Sequence, residues 1–405
     1  MAHQILHHCT RVVQHSLHRR LLISACTGYT GWDRLLNQAE TEGMGPLLFR
    51  HLSSSGVDLP EDFSRKLRFI KLRHQQANTI LAQGLHDILG LLKTAGIPSL
   101  VLKGAALCHT LYPQIGLRPM RDIDLLVARK DVYHAHEVLQ KQGFTVSTTP
   151  IPEDHFHLKA LSRTINGLQV CIELHHGLYA PVPPYNQSLS FSELFKNAVS
   201  FYIGGEKAYT LKTEEMLEHL YHHGFHAPLT YEPYKLISVA DIIGLVEKEV
   251  ETIDWDEIRS VSPRLFHALP YFHYITPWTE SVLAKIPFKK RAVPSGVGAH
   301  FDGWPQLRLS RWKGERFSKM LRHTFFPARW WMLIYYSYTS RLSPVQCRYI
   351  RHWNQIFWWI KLYGHYFYKA TLKKKNSPLP EKHWAGLLWL RKVKTIVVAI
   401  YRQFK

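Results

Sequence analysis

Apolar positions recur with two different periods along this chain, and the change between them falls near residue 99. Up to that point the spacing is helical. Trp32-Asp33 opens a short amphipathic helix, and Leu67, Ile70, Leu81, Leu85, Ile88, Leu91 and Leu92 mark one face of a long one over residues 61–94. Gly96-Ile97-Pro98 stops it. From Ser99 onward, short apolar runs alternate with short helical patterns. Residues 99–102 predict a strand, 105–112 a helix closed by Pro113, and 122–127 a strand. Residues 131–142 predict a helix ended by Gly143, and 144–147 a strand. Residues 168–175 alternate as a strand that puts Gln169, Cys171, Glu173 and His175 on one face. Helical spacing returns at Thr213, read as the N-cap before Glu214 and Glu215. Residues 236–250 and a helix opened by Asp254-Trp255-Asp256 follow.

Strands interleaved with helices predict an α+β fold. The organisation expected is a helical N-terminal region (1–95), an α/β core with a small mixed sheet (96–205), a helical domain (206–300) and a basic, Trp-rich helical tail (301–405). No internal repeat is visible.

Charge sharpens this division. The chain carries a formal +20, and residues 301–405 hold 21 of its 51 Lys/Arg but only 3 of its 31 Asp/Glu, with nine of the twelve tryptophans. The break follows the run Val293-Pro-Ser-Gly-Val-Gly298. A near-neutral body thus precedes a tail suited to an anionic membrane surface or to nucleic acid. Arg329-Trp330-Trp331 and the aromatic run over 357–368 fit either partner, or a subdomain packed on its own tryptophans.

Five cysteines without metal-type spacing exclude a disulfide scaffold and a zinc ribbon, and fit a reducing cytoplasm. The first residues lack the apolar run of a secretory leader, and no stretch of 18 uninterrupted apolar residues occurs. A cytoplasmic protein, peripheral to the inner face of the membrane through its tail, is expected.

Asp122 and Asp124 are two apart in an apolar strand, so their carboxylates share a face. An isolated Asp-x-Asp is more often a solvated strand end. Here Ile123, Leu125, Leu126 and Val127 surround it, and like charges on a buried strand are costly unless a cation neutralises them. Glu173 is the candidate third carboxylate. Gly104, between a strand and a helix, lets backbone N–H groups approach a phosphate. Lys103, Arg118 and Arg121 flank it with positive charge. His222 and His226, at i and i+4, invite a zinc reading. Gly224 between them and the lack of a nearby Cys argue against it.

These residues resemble a known family. Lys103-Gly104, Leu107, Tyr112-Pro113, Leu117-Arg118-Pro119 and the run from Asp122 to Val127 are similar to the uncharacterised bacterial nucleotidyltransferases of the DNA polymerase β superfamily. The likeness continues at Ile172-Glu173-Leu174-His175, Thr213 to Leu217, His219, His222-His223-Gly224, His226, Asp241 to Leu245 and Ile253 to Asp256. It covers residues 35–260. The resemblance implies a polymerase β-like core and a glycine turn that cradles a triphosphate. It implies Asp122, Asp124 and Glu173 as ligands of two Mg²⁺ (or Mn²⁺), and a helical domain that closes on the nucleotide and brings Lys235 toward a phosphate. Two positions depart from the wider superfamily: Glu173 stands where Asp is usual, and Ala105 follows Gly104 where Gly or Ser is usual.

Two functions follow. One is transfer of NMP from an NTP to an unidentified acceptor, with release of pyrophosphate. The other is nucleotide binding without turnover, with the tail tethering a membrane, nucleic acid or protein partner.

Overall fold

The computed structural model describes residues 2–149, 151, 155–179, 189–225, 234–301, 303, 316–337, 349–358 and 360–361. His226, the linker expected over 373–380 and the last helix expected over 381–404 lie outside them. Met1–Pro344 form one compact unit and Val345–Lys405 a second.

The chain opens with five helices: α1 (Ala2–His8), α2 (Ser16–Cys26), α3 (Trp32–Thr41), α4 (Gly45–Ser55) and α5 (Glu61–Thr94). Their ends follow local chemistry. Pro46 stands in the first turn of α4, and Gly56 closes that helix in the left-handed region. Glu61 and Asp62 lie in the first turn of α5 and Lys93 in its last, matching the helix dipole.

Among the described residues the sheet has seven strands: β1 (Ser99–Val101), β2 (Ile123–Val127), β3 (Thr145–Val146), β4 (Leu161–Ile165), β5 (Leu168–His175), β6 (Val199–Ile203) and β7 (Glu206–Thr210). Their order is β3-β4-β5-β2-β1-β7-β6. Pairs β2–β5 and β1–β7 are parallel and the rest antiparallel, so the sheet is mixed and the fold is α+β, as the sequence predicts. Helix α5 crosses β5 so closely that a Cβ on Gly84 would lie 3.2 Å from the Val170 side chain. Val170, Ile172 and Leu174 are buried on that face, as are Ile123, Leu125 and Val127 of β2. The alternate residues, Cys171, Glu173 and His175 on β5 and Asp124 on β2, therefore share the opposite face.

Further helices among the described residues are α6 (Lys103–Thr110), α7 (Val132–Lys141), α8 (Phe191–Lys196), α9 (Thr213–Gly224), α10 (Leu236–Lys248), α11 (Trp255–Val261), α12 (Pro263–Phe272), α13 (Glu280–Lys285), α14 (Phe317–Phe325) and α15 (Arg329–Tyr335), and residues 349–358 are also helical. Asp254 caps α11, its carboxylate accepting from the N–H groups of Asp256 and Glu257. The N-cap of α9 is Lys212 rather than Thr213, and the helix ends at Gly224, as the glycine there leads one to expect. Strands β4, β6 and β7 and helix α8 extend the predicted set. A fully buried Arg11 ties the N-terminal helices to the later ones, donating to Thr276 Oγ1 at 3.0 Å and pairing with Glu247. None of the helices among the described residues is long and apolar enough to cross a membrane.

Candidate functional site

The site forms where β2 and β5 run side by side. Parallel pairing places Asp124 directly opposite Glu173 and Leu126 opposite His175. Asp122 precedes β2 and is exposed, at the mouth; Asp124 lies inside, 5% exposed. The face-sharing read from the Asp-x-Asp spacing thus becomes a graded pair, one carboxylate wet and one buried.

Asp124 is heavily partnered. The Lys103 Nζ lies 3.2 Å from its Oδ2, and the His175 Nε2 2.9 Å from its Oδ1. Burial alone would raise the Asp124 carboxyl, but Lys103 and the His175 hydrogen bond outweigh it and hold the group well below the usual carboxylate range. The cation that the buried strand requires is therefore supplied in part by Lys103. Water reaches Asp122, yet the protein packed behind it desolvates the carboxyl. That desolvation first, and the charge of Asp124 second, push it up to about 6. Burial tends to raise Glu173 as well, but its contact with His175 lowers it overall. The Glu173 Oε2 stands 3.7 Å from Nε2 of both His157 and His175. His157 Nε2 in turn lies 2.9 Å from His155 Nε2.

Lys103 occupies the corner between β1 and α6 with φ +47°, one of two non-glycine residues in the left-handed region among the described residues. Such backbone is strained and persists where the surroundings fix it. The corner aims the ammonium at Asp124 and leaves the first N–H groups of α6 without intrahelical partners. Gly104 follows, and a Cβ there would overlap the Arg118 guanidinium. The space the glycine leaves is thus filled by Arg118. That guanidinium grips Asp241 of α10 at 2.8–3.0 Å through Nε and Nη2, while Tyr112 Oη donates to the same carboxylate at 2.7 Å. Arg121 is exposed beside Asp122. Lys235 sits at the start of α10, where Glu42 accepts from the N–H groups of Leu236 and Ile237.

Three histidines join these residues without having been singled out from the sequence as site residues: His157, His175 and His219. His175 carried a signal, since it shares the strand face of Glu173. His219 on α9 is buried and neither of its ring nitrogens has a hydrogen-bond partner; burial, and then Lys103 and His175, push it well below the ordinary histidine value. A cavity of about 1020 Å³, lined by Ala128, His176 and Phe191 among others, lies past the other end of β2 and does not include the carboxylates.

A divalent cation fits this face. One oxygen each of Asp124 and Glu173 and one nitrogen of His175 lie within 4.8 Å of one another, with Asp122 at the mouth. Carboxylates facing a lysine and a helix N-terminus are the groups that a metal-bound polyphosphate would need.

The model of a family of uncharacterised nucleotidyltransferases matches residues 29–275, which hold all of these side chains. The chain belongs to this family. No curated protein matches it. Among solved structures, the antibiotic-resistance factor ANT(2'')-Ia aligns at 14% identity over 49% of this chain and 98% of its own, with a TM-score of 0.33. An antigenic nucleotidyltransferase-like protein from Paracoccidioides brasiliensis aligns at 17% identity over 54% of this chain and 95% of its own, with a TM-score of 0.35. Both likenesses are loose. The matched segment spans the whole sheet and the helices α9 and α10 that border the site.

Proposed function

We propose that the chain transfers NMP from an NTP to an acceptor at the Asp122–Asp124–Glu173 face, releasing pyrophosphate. The observation that carries this reading is the register of β2 and β5, which sets Asp124 against Glu173 with Lys103 and the start of α6 at the same carboxylate. A divalent cation bound there (Mg²⁺ or Mn²⁺) would supply charge neutralisation at the phosphates. The remaining work falls to the chain. Free N–H groups at the start of α6 and the Lys103 ammonium hold the phosphate tail. Asp122 lines the mouth through which the acceptor enters. The Glu173 side chain is 28% exposed against 7% for Asp124, so of the two carboxylates paired across β2 and β5 Glu173 is the one placed to take the acceptor proton. Turnover is expected to be lost in Asp122→Ala and Asp124→Ala with the far-UV circular dichroism unchanged. Wild-type rates in both variants would end the reading.

A second reading, nucleotide binding without turnover, is favoured by Arg118. This arginine is committed to Asp241 and fills the space that Gly104 leaves, so it is less available to phosphate. Nucleotide binding with no pyrophosphate release across an acceptor panel would select it.

We also propose that helix α14 rests on an anionic lipid surface. Phe317, Leu321 and Phe326 are 43%, 39% and 55% exposed, and Arg316, Lys319 and Arg322 are exposed among them, while Met320 and Thr324 face inward. Aromatics interleaved with cations suit a charged interface. The protein should cosediment with phosphatidylserine vesicles and not with phosphatidylcholine vesicles, and Phe317→Asp with Leu321→Asp should release it. Cosedimentation unchanged in that variant, or tighter binding to duplex DNA than to the vesicles, would overturn this.

A further inference from the structure

The proposed transfer gives His175 no task. His175 is 1% exposed, and its Nε2 lies 2.9 Å from Asp124 Oδ1 and 3.7 Å from Glu173 Oε2. The three ligand atoms fall within 4.8 Å of one another, close enough for one ion. The arrangement is fixed by the backbone: Glu173 and His175 project from one face of β5, and β2 brings Asp124 up in register beside them. On the far side, His157 Nε2 stands 3.7 Å from Glu173 Oε2 and can orient that carboxylate.

This donor set differs from three carboxylates. Mg²⁺ prefers oxygen ligands and keeps several waters. Imidazole suits Fe²⁺, Ni²⁺, Cu²⁺ and Zn²⁺, and Mn²⁺ takes the carboxylates beside it. We propose that His175 is itself a metal ligand, and that the ion held by Asp124, Glu173 and His175 is a transition ion, Mn²⁺ being the one to probe first. The proposal rests on the reading that this face holds a divalent cation. The competing role for His175 is positional: an N–H donor that orients Asp124 and never touches the ion. The two roles part in His175→Gln, whose amide can still donate to Asp124 but is a poor metal ligand.

The test titrates Mn²⁺ into the full-length protein without nucleotide, followed by electron paramagnetic resonance, with pulsed detection of nitrogen coupling. Wild type should bind Mn²⁺ and show ¹⁴N modulation that converts to ¹⁵N when the histidines are isotopically labelled. Loss of the ligand in His175→Gln should remove the modulation and weaken Mn²⁺ by about tenfold or more. Mg²⁺ should displace Mn²⁺ only at a clear molar excess. Bound Mn²⁺ without nitrogen modulation in wild type overturns the proposal, with no variant needed. Modulation or Mn²⁺ affinity unchanged in His175→Gln overturns it as well. Either result leaves the divalent-cation reading standing, because Mn²⁺ still binds. If neither Mn²⁺ nor Mg²⁺ binds and Asp124→Asn behaves as wild type, that underlying reading fails together with the proposal.

Discussion

At the scale of single residues, the chemistry turns on how Asp124 is neutralised. A buried carboxylate needs compensating charge, and Lys103 and His175 provide it from two directions. A divalent cation held by Asp124 would supply that neutralisation instead, which would free the Lys103 ammonium to hold phosphate. The left-handed backbone of Lys103 fixes where that ammonium starts. Lys103→Met should therefore weaken NTP binding by about tenfold or more, the value of a charge-assisted contact. Calorimetric titration checks this, and a loss of less than twofold would contradict it.

At the scale of elements, the segment leading into β2 is held from two sides. Asn78, buried in the middle of α5, donates to the carbonyls of Ile115 and Arg118 at 2.5 and 2.7 Å. Arg118 then clamps Asp241 of α10 through both carboxylate oxygens. Removing one partner of a buried ion pair strands the other. Asp241→Ala is thus expected to cost about 3–5 kcal/mol in urea unfolding, and Asp241→Leu combined with Arg118→Met to restore much of it. A loss within about 1 kcal/mol would show that the clamp is not what ties α10 to this segment.

Which elements the sequence disclosed follows from how their information is distributed. The core strands β1, β2 and β5 announce themselves because burial forces apolar residues into short runs, continuous in β1 and β2 and alternating in β5. The hairpin of β6 and β7 carries Gly204-Gly205, both at positive φ, between alternating residues. That signal was present, but Tyr202 and Val199 point to solvent and blur the pattern. At the site, spacing alone places Asp122 with Asp124, and Glu173 with His175. Joining the two pairs depends on the parallel register of strands about fifty residues apart, which no local pattern encodes. Nor does any local pattern give the Arg118–Asp241 pairing, 123 residues apart.

At the scale of the whole molecule, the N-terminal helices are fastened to the later helical layer through buried histidines and Arg11. His18 Nε2 meets the Pro277 carbonyl, and His51 Nε2 the Arg11 carbonyl, each at 2.8 Å. Burial pushes His7 and His18 down to about 3 and His51 down to about 4. In the unfolded chain such groups titrate near 6.5. The unfolded state therefore takes up protons below that pH while the folded state does not. Stability is intact above pH 6.5 and falls as pH drops toward 4, by up to about 1.4 kcal/mol per pH unit for each group. Denaturant unfolding at pH 7.5 and 5.5 should differ by several kcal/mol, on the order of 4 if all three act. Equal stabilities would mean these histidines are not buried neutral.

Transfer itself is the decisive assay. The full-length protein is incubated with each α-³²P-labelled NTP and an acceptor extract, with Mg²⁺ or Mn²⁺ and with EDTA, and both label transfer and pyrophosphate release are followed. Wild type should release pyrophosphate and label an acceptor only with the divalent ion, and Asp122→Ala and Asp124→Ala should do neither. Transfer that survives EDTA, or that both variants carry out at the wild-type rate, would contradict a nucleotidyltransferase site at the Asp122–Asp124–Glu173 face.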